Sequence, residues 1–378
     1  MTQCNQTLDR IAGELGDFTC QNAPAVVHLR NPLALSNWTL PVLELMMVAG
    51  AVFALWWAVR RLRRDGDPIN LVLWCATVIY LFVVEIPLYF PDIFGVEESL
   101  GVVFSHNVFT VQFLFDRLPL YIVALYPAVT TLSYEIVRVL GVFTRRGGLV
   151  GALCVGFVHH CFYEVFDQLG PQLRWWAWNT DNQLNHPMLA SVPMTSVFIF
   201  AVLGPVVCTA LVWWFVGRKA VHGPTFSVLG LSWRTLVIGA LVPVGLAVLS
   251  IPSSLFGGEH ANVTAQAIVF GVQLVLLAAI AIPVLATQWR HLRHRGGADE
   301  SNEFVLVFGP VYLGVLLVLW LAALPAYFGA TDGVTVDGTP VGSLGYAALS
   351  FVAAALCVAA AVSVRASSAP RIYSDVLL

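Results

Sequence analysis

Nine long apolar runs constrain this 378-residue chain more than anything else in it, at about 39–59, 69–90, 118–143, 149–169, 192–217, 233–256, 264–286, 304–328 and 344–364. Each can cross a hydrocarbon core ~30 Å thick. A bilayer offers no water to backbone N–H and C=O groups, so a spanning chain must be helical or a closed barrel. Runs this long and continuous are too long for barrel strands. They predict an all-α polytopic bundle of about nine transmembrane helices, multi-pass in a cell membrane, with lipid as its first partner. Composition agrees: only 11% of residues are charged, against roughly 25% in soluble domains, and mean hydropathy is +0.80.

Orientation follows from the basic residues between the runs, which favour the cytoplasmic side. With the amino terminus outside, fifteen of the 19 basic residues face or border the cytoplasm, from Arg60, Arg61, Arg63 and Arg64 to Arg365 and Arg371. Arg10, Arg30, Arg117 and Arg174 stay outside. The expected topology is amino terminus out and carboxyl terminus in. Lys219 is the sole lysine, a GC-rich coding bias that we read as bacterial.

Residues 1–38 lack the apolar core of a secretory signal and read as an extracytoplasmic arm. Cys4 and Cys20 lie in it, on the oxidising side, where they could form a disulfide or remain two thiols. The chain then divides by character. Residues 39–220 form a five-helix half carrying nearly all the intramembrane polarity, and 231–378 form an apolar four-helix half with a short cytoplasmic tail. Residues 99–117 are apolar but interrupted by Ser105, His106, Asn107 and Gln112, and predict an interfacial or re-entrant helix. Residues 329–343 predict a small hairpin. No P-loop, GxGxxG after a strand or HExxH is present, and nothing points to nucleic acid.

The polarity concentrates in GFVHHCFYEVFDQLG, Gly156 to Gly170. At about 100° per residue, His160, Glu164 and Asp167 fall on one helix face and His159 about a quarter turn away. Glu85 and Glu44 lie at matching depth in other runs, so the expectation is a polar cavity opening outward. Ionisable groups at such depth are costly and mark function or pairing. Glu135 and Arg138 read as a neutralising pair, Asp116 and Arg117 as a solvated boundary, and His159 as a hydrogen-bonded packing residue. His160 and Glu164 could share a metal ion at i,i+4, but one buried histidine pair is too few for a histidine-rich oxygenase, so no metal is expected. Trp175, Trp176 and Trp178 follow the stripe, as an aromatic belt or as faces that shelter a cation. His106, Trp176 and Trp178 are the candidate substrate contacts.

The order of these features resembles the polytopic carotenoid-biosynthesis family that includes the bacterioruberin-type carotenoid hydratases, over about 80–200. The matching features are Glu85 in a span, Leu118-Pro119-Leu120-Tyr121 at a span start, Asp167 at a span end, Trp176-Ala177-Trp178 and Val192-Pro193. Met194 and Ser196 stand where the family has Leu and Asn. The resemblance implies an isoprenoid substrate.

The resulting expectation is a membrane enzyme doing acid–base chemistry, hydration or cyclisation, on an isoprenoid or other unsaturated lipid. Asp167 or Glu164 would protonate an alkene, Trp176 or Trp178 would shelter the cation, Glu85 would activate water and His160 would relay or orient. No cofactor is required. The alternatives are a proton-coupled transporter or permease using the same stripe, and a non-catalytic membrane subunit.

Overall fold

The computed structural model describes residues 5–16, 23–220, 226–258, 260–294 and 302–364. Cys4 and Cys20 lie outside the described residues. In chain order the helices are α1 (Gln6–Gly16), α2 (Thr39–Asp65), α3 (Ile69–Tyr89), α4 (Glu97–Leu100), α5 (Leu120–Val139), α6 (Val142–Asp167), α7 (Ser196–Ala220), α8 (Val228–Ser254), α9 (Val263–His294), α10 (Glu303–Phe328) and α11 (Leu344–Ser363). All but α1 and α4 are long and apolar enough to cross a membrane, nine among the described residues. Each coincides with one of the nine apolar runs. The architecture is that of a multi-pass membrane protein.

Burial ranks the helices. Of their most apolar windows, α5 is 89% buried, α6 and α7 each 72%, while α8, α9 and α11 are 28%, 22% and 28%. The centre is therefore α5–α7, which carry Glu135 and the stripe His159, His160, Glu164 and Asp167, while Glu44 and Glu85 reach in from α2 and α3. At one end of the bundle, which we term the arginine face, α2 finishes in Arg60–Arg64 and Arg60 pairs with Glu303. On the same face Glu135, fully buried, receives Arg138 through both oxygens at 2.8 Å, Asn70 at 2.9 Å, and Asn302. The expected Glu135–Arg138 pair is present, and two asparagines complete it.

The opposite end is capped by short strands: β1 (Val27–Leu29), β2 (Phe104–His106), β3 (Val111–Phe113), β4 (Leu118–Pro119), β5 (Trp176–Trp178), β6 (Met188–Leu189) and β7 (Val192–Pro193). We term this end the strand face. Residues 99–117 are thus no interfacial or re-entrant helix. They run as β2, a loop and β3, pairing with β5 and β1. The polar interruptions explain the difference. Gln112 is buried, donates to the Asn107 and Asp116 carbonyls and accepts from the Phe109 N–H. These bonds hold a folded loop that a helix could not satisfy. Residues 329–343 form the expected turn structure, with bridges Thr331–Val334 and Val334–Pro340.

Three further expectations change here. The described part of the arm is ordered structure: an amphipathic helix, α1, which buries Leu8, Ile11, Ala12 and Leu15, and strand β1. Asp116 and Arg117 are not a solvated boundary. Asp116 is 3% exposed and accepts from Arg30 at 2.6 Å, with His28 at 3.0 Å. Arg117 turns elsewhere, donating to the Tyr89 carbonyl. Glu44 takes the Thr110 and Val111 N–H groups at 2.9 and 3.0 Å, so it anchors β3 and does not line a cavity with Glu85.

Candidate functional site

The stripe on α6 meets a helix of unusual winding. Residues Ser196–Leu203, the first part of α7, are π-helical, a geometry frequent at functional sites. His159 Nδ1 lies 2.8 Å from the Ala201 carbonyl, and His160 Nδ1 lies 3.1 Å from that of Val197. A carbonyl only accepts, so each Nδ1 carries the proton. His160 Nε2 is then an acceptor for the Tyr346 hydroxyl at 2.8 Å. His159 is the hydrogen-bonded packing residue its phase predicts. Gly156 makes the close approach possible, because a Cβ there would lie 2.2 Å from Val206.

The structure divides the predicted face in two. Asp167 points to the α7 side, where its Oδ2 accepts from the Ser196 hydroxyl at 2.8 Å. Glu164 points to the α11 side. Its Oε2 accepts from Gln168 at 3.0 Å, and its Oε1 lies 3.8 Å from His160 Nδ1. Gln168 in turn accepts from the Ser343 N–H at 2.8 Å. About 60° of helical phase separates Glu164 from Asp167, enough to send them into different seams between helices.

Asp167 shares a pocket with Glu85, while His160 and Glu164 do not line it. The pocket also takes in His106, Trp176 and Trp178, so five of the seven candidate residues are brought together. The reason is the β2–β5 ladder, whose antiparallel register pairs Phe104 with Trp178 and His106 with Trp176. Cross-strand partners share a face, so all four side chains project into the pocket, and Ser105 and Ala177 project away. Trp175, one residue out of phase, is fully buried elsewhere, donating to Thr39 at 2.9 Å. Gly170 leaves room for the ladder, since a Cβ there would come within 2.0 Å of the Trp176 ring.

The pocket's polar groups are incompletely paired. Glu85 Oε1 accepts from the Tyr126 hydroxyl at 2.6 Å. Among the described residues Glu85 Oε2, Asp167 Oδ1, Trp176 Nε1 and Trp178 Nε1 are buried without a hydrogen-bond partner. Native proteins rarely leave such atoms. Two open acceptors and two open donors around one pocket are what a polar ligand or waters would complete. His106 holds the strand side: its Nε2 lies 3.1 Å from the Tyr89 hydroxyl and its Nδ1 3.0 Å from that of Tyr121. Burial pushes its imidazole down to about 3, so the ring is neutral near pH 7. The cavity is about 30 Å³, where one water needs ~10–15 Å³. It holds a few small groups and not the length of a lipid. Half-buried Tyr163 and Phe200, from α6 and α7, line it as well.

Tyr89, Tyr121, Tyr126, Tyr163 and Ser196 belong to the site and were not anticipated. Part of the signal was present: Tyr89 and Tyr163 stand four residues from Glu85 and Asp167, at Glu85+4 and Asp167−4, on the same helix faces. Tyr121, Tyr126 and Ser196 come from other helices; Tyr121 and Ser196 lie in stretches that carry the resemblance, but the contacts of all three are revealed only by packing. Among the described residues no group of three or more His, Cys, Asp or Glu side chains is placed to hold a metal. Comparison with known proteins finds no matching family model, no curated relative and no similar solved structure.

Proposed function

We propose that the protein is an integral-membrane enzyme that adds water to, or cyclises, an unsaturated lipid in the Glu85–Asp167 pocket. One observation carries this reading: two buried carboxyl groups from different helices, each with an oxygen unpartnered among the described residues, line one small aromatic cavity. Acid–base catalysis needs a proton donor and an acceptor within reach of one reacting group. In the hydration form, the Asp167 carboxyl gives its proton to the singly substituted =CH carbon of a trisubstituted alkene. The positive charge forms on the adjacent tertiary carbon, under the faces of Trp176 and Trp178. Water adds to that carbon while Glu85 accepts the proton that the water loses. The product is a tertiary alcohol, and the proton returns from Glu85 to Asp167 through pocket water. Alkene and water are consumed in equal number, and no cofactor enters the balance.

Tyr163 and Phe200 give the pocket a flank that a lipid chain can reach from the membrane. Only the chain's end would enter, in keeping with the cavity's size. The resemblance to the carotenoid-biosynthesis family favours an isoprenoid among such chains. The test is to supply an acyclic isoprenoid polyene to membranes containing the protein and follow the gain of one water by mass spectrometry. Unchanged polyene with folded protein would refute the hydration form, and absence of any isomeric product would refute cyclisation.

The row of Glu164, His160 and Tyr346, with Tyr346 bonded to His160 and Glu164 3.8 Å from it, is the observation in favour of a proton-coupled permease, which would acidify vesicles during uptake without altering the lipid. We further place the strand face outside the cytoplasm in a bacterial plasma membrane, from the arginines of the other face. Labelling Asp337→Cys but not Arg293→Cys from outside whole cells is the expected result, and the reverse pattern would invert the topology.

A further inference from the structure

Beside the Glu85–Asp167 pocket, nearer the surface of the strand face, lies a second cavity of about 170 Å³. At its inner end is Arg117, only 8% exposed. One guanidinium nitrogen donates to the Tyr89 carbonyl, and the guanidinium carbon sits 4.3 Å from the Phe90 ring centroid. The buried Nε has no hydrogen-bond partner among the described residues. Burial pulls this guanidinium below its ordinary range, and Asp92, Asp9 and Glu97 act on it through space in the opposite direction. The backbone delivers it under strain, through three successive non-glycine residues at positive φ: Leu114 at 56°, Phe115 at 58° and Asp116 at 58°.

A buried guanidinium whose direct partners are a carbonyl and a ring is short of an anion. The mouth of the same cavity has the opposite sign, because Asp92 and Glu97 line it and are exposed. A lone anion would have to pass two carboxylates, and a lone cation would stop at them. A small zwitterion satisfies both ends. Next to the mouth, just beyond the end of α3, Ile93 and Phe94 are 64% and 51% exposed, an apolar surface at the membrane boundary suited to acyl chains.

We propose that this cavity binds a zwitterionic phosphoester headgroup, its phosphate oxygens on Arg117 and its ammonium at Asp92 and Glu97. The site is independent of the acid–base reading. Phe104 and His106 line both cavities, and either cavity could be filled without the other. A membrane lipid and a free phosphoamine offer the same chemistry, and the probes separate them.

Detergent-purified protein is titrated calorimetrically with O-phosphoethanolamine, inorganic phosphate and dihexanoyl phosphatidylethanolamine. Arg117→Gln and an Asp92→Asn/Glu97→Gln double variant are run in parallel. The wild type should bind at least one phosphoethanolamine probe saturably, and Arg117→Gln should weaken that binding at least about tenfold. The double variant should weaken the zwitterions while leaving inorganic phosphate unchanged or tighter. Preference for the short-chain lipid assigns the occupant to the membrane, and equal affinity for the free headgroup assigns it to a solute; either sustains the site. No saturable binding of either phosphoethanolamine probe to wild type overturns it, as does undiminished binding by Arg117→Gln. Should Arg117→Gln fail to fold, the double variant decides, because its two positions are exposed. Loss of phosphate and zwitterion alike, or of neither, contradicts the proposal.

Discussion

Glu135, at the arginine face, and the Glu85–Asp167 pair, towards the strand face, are buried carboxyl groups in the same bundle with opposite surroundings. Glu135 receives Arg138 on both oxygens and an asparagine on each. Glu85 and Asp167 each accept a close hydroxyl, from Tyr126 and Ser196, and among the described residues each keeps an oxygen without a hydrogen-bond partner. The same division runs through the other buried acids. Glu44 and Asp116 have both oxygens occupied by backbone N–H groups or by Arg30 and His28, whereas Glu164 has one open. A carboxylate with its lone pairs filled is held in place by its neighbours and has nothing left to exchange. One with an open oxygen can take or give a proton. Burial is common to all of these acids, and what separates them is whether hydrogen bonds occupy both oxygens; on the proposed reading the open oxygens that share the small pocket, those of Glu85 and Asp167, are the ones that react.

The largest effect that could break this comparison is on turnover. Glu85→Gln keeps the shape and the Tyr126 contact but removes the base, so polyene conversion should fall at least about a hundredfold with little change in melting temperature. Glu135→Gln should do the reverse. It takes the carboxylate charge out of the buried contact with the partly exposed Arg138, a destabilising change seen as a lower unfolding midpoint with turnover per folded molecule preserved.

A smaller effect tests the strand side of the pocket. His106 is held near 3 by burial, against an ordinary value of 6.5. Below pH 6.5 the unfolded chain takes up a proton that the folded ring refuses, so stability falls as pH drops from 6.5 towards 3. His106→Asn should flatten that part of the melting-temperature profile, and an unchanged slope would mean that the decline arises elsewhere. The smallest effect is expected on the α11 side. Tyr346→Phe removes the donor to His160 and should alter conversion less than about threefold, a lost hydrogen bond of ~1 kcal/mol at most reaching the pocket indirectly. A loss comparable to that of Glu85→Gln would return Glu164 and His160 to the reaction centre and favour the permease.

The spans were legible in the sequence because nothing but a helix can satisfy the backbone of a 20-residue apolar run in lipid. Glu85, Asp167, Trp176 and Trp178 were legible for a related reason: polarity and indoles at that depth must be accommodated by something. The strand cap was not, since β2 and β3 are three residues each and their partners β5 and β1 lie roughly 70 or more residues away along the chain. Helical phase placed His160, Glu164 and Asp167 together but could not say which neighbouring helix each would meet. The contacts of Tyr126 with Glu85 and of Ser196 with Asp167 could not be read for the same reason. Their roles depend on α5 and α7 packing against acids that the sequence places on other helices.

The most direct measurement is polyene conversion by Asp167→Asn, made on protein whose melting temperature is determined in the same preparation. The account predicts conversion lost by at least about a hundredfold while the melting temperature holds or rises, because a buried ionisable group has been replaced by a neutral amide of the same shape. Conversion near the wild-type rate from folded Asp167→Asn protein would contradict it, and would make Asp167 a structural acid like Glu135.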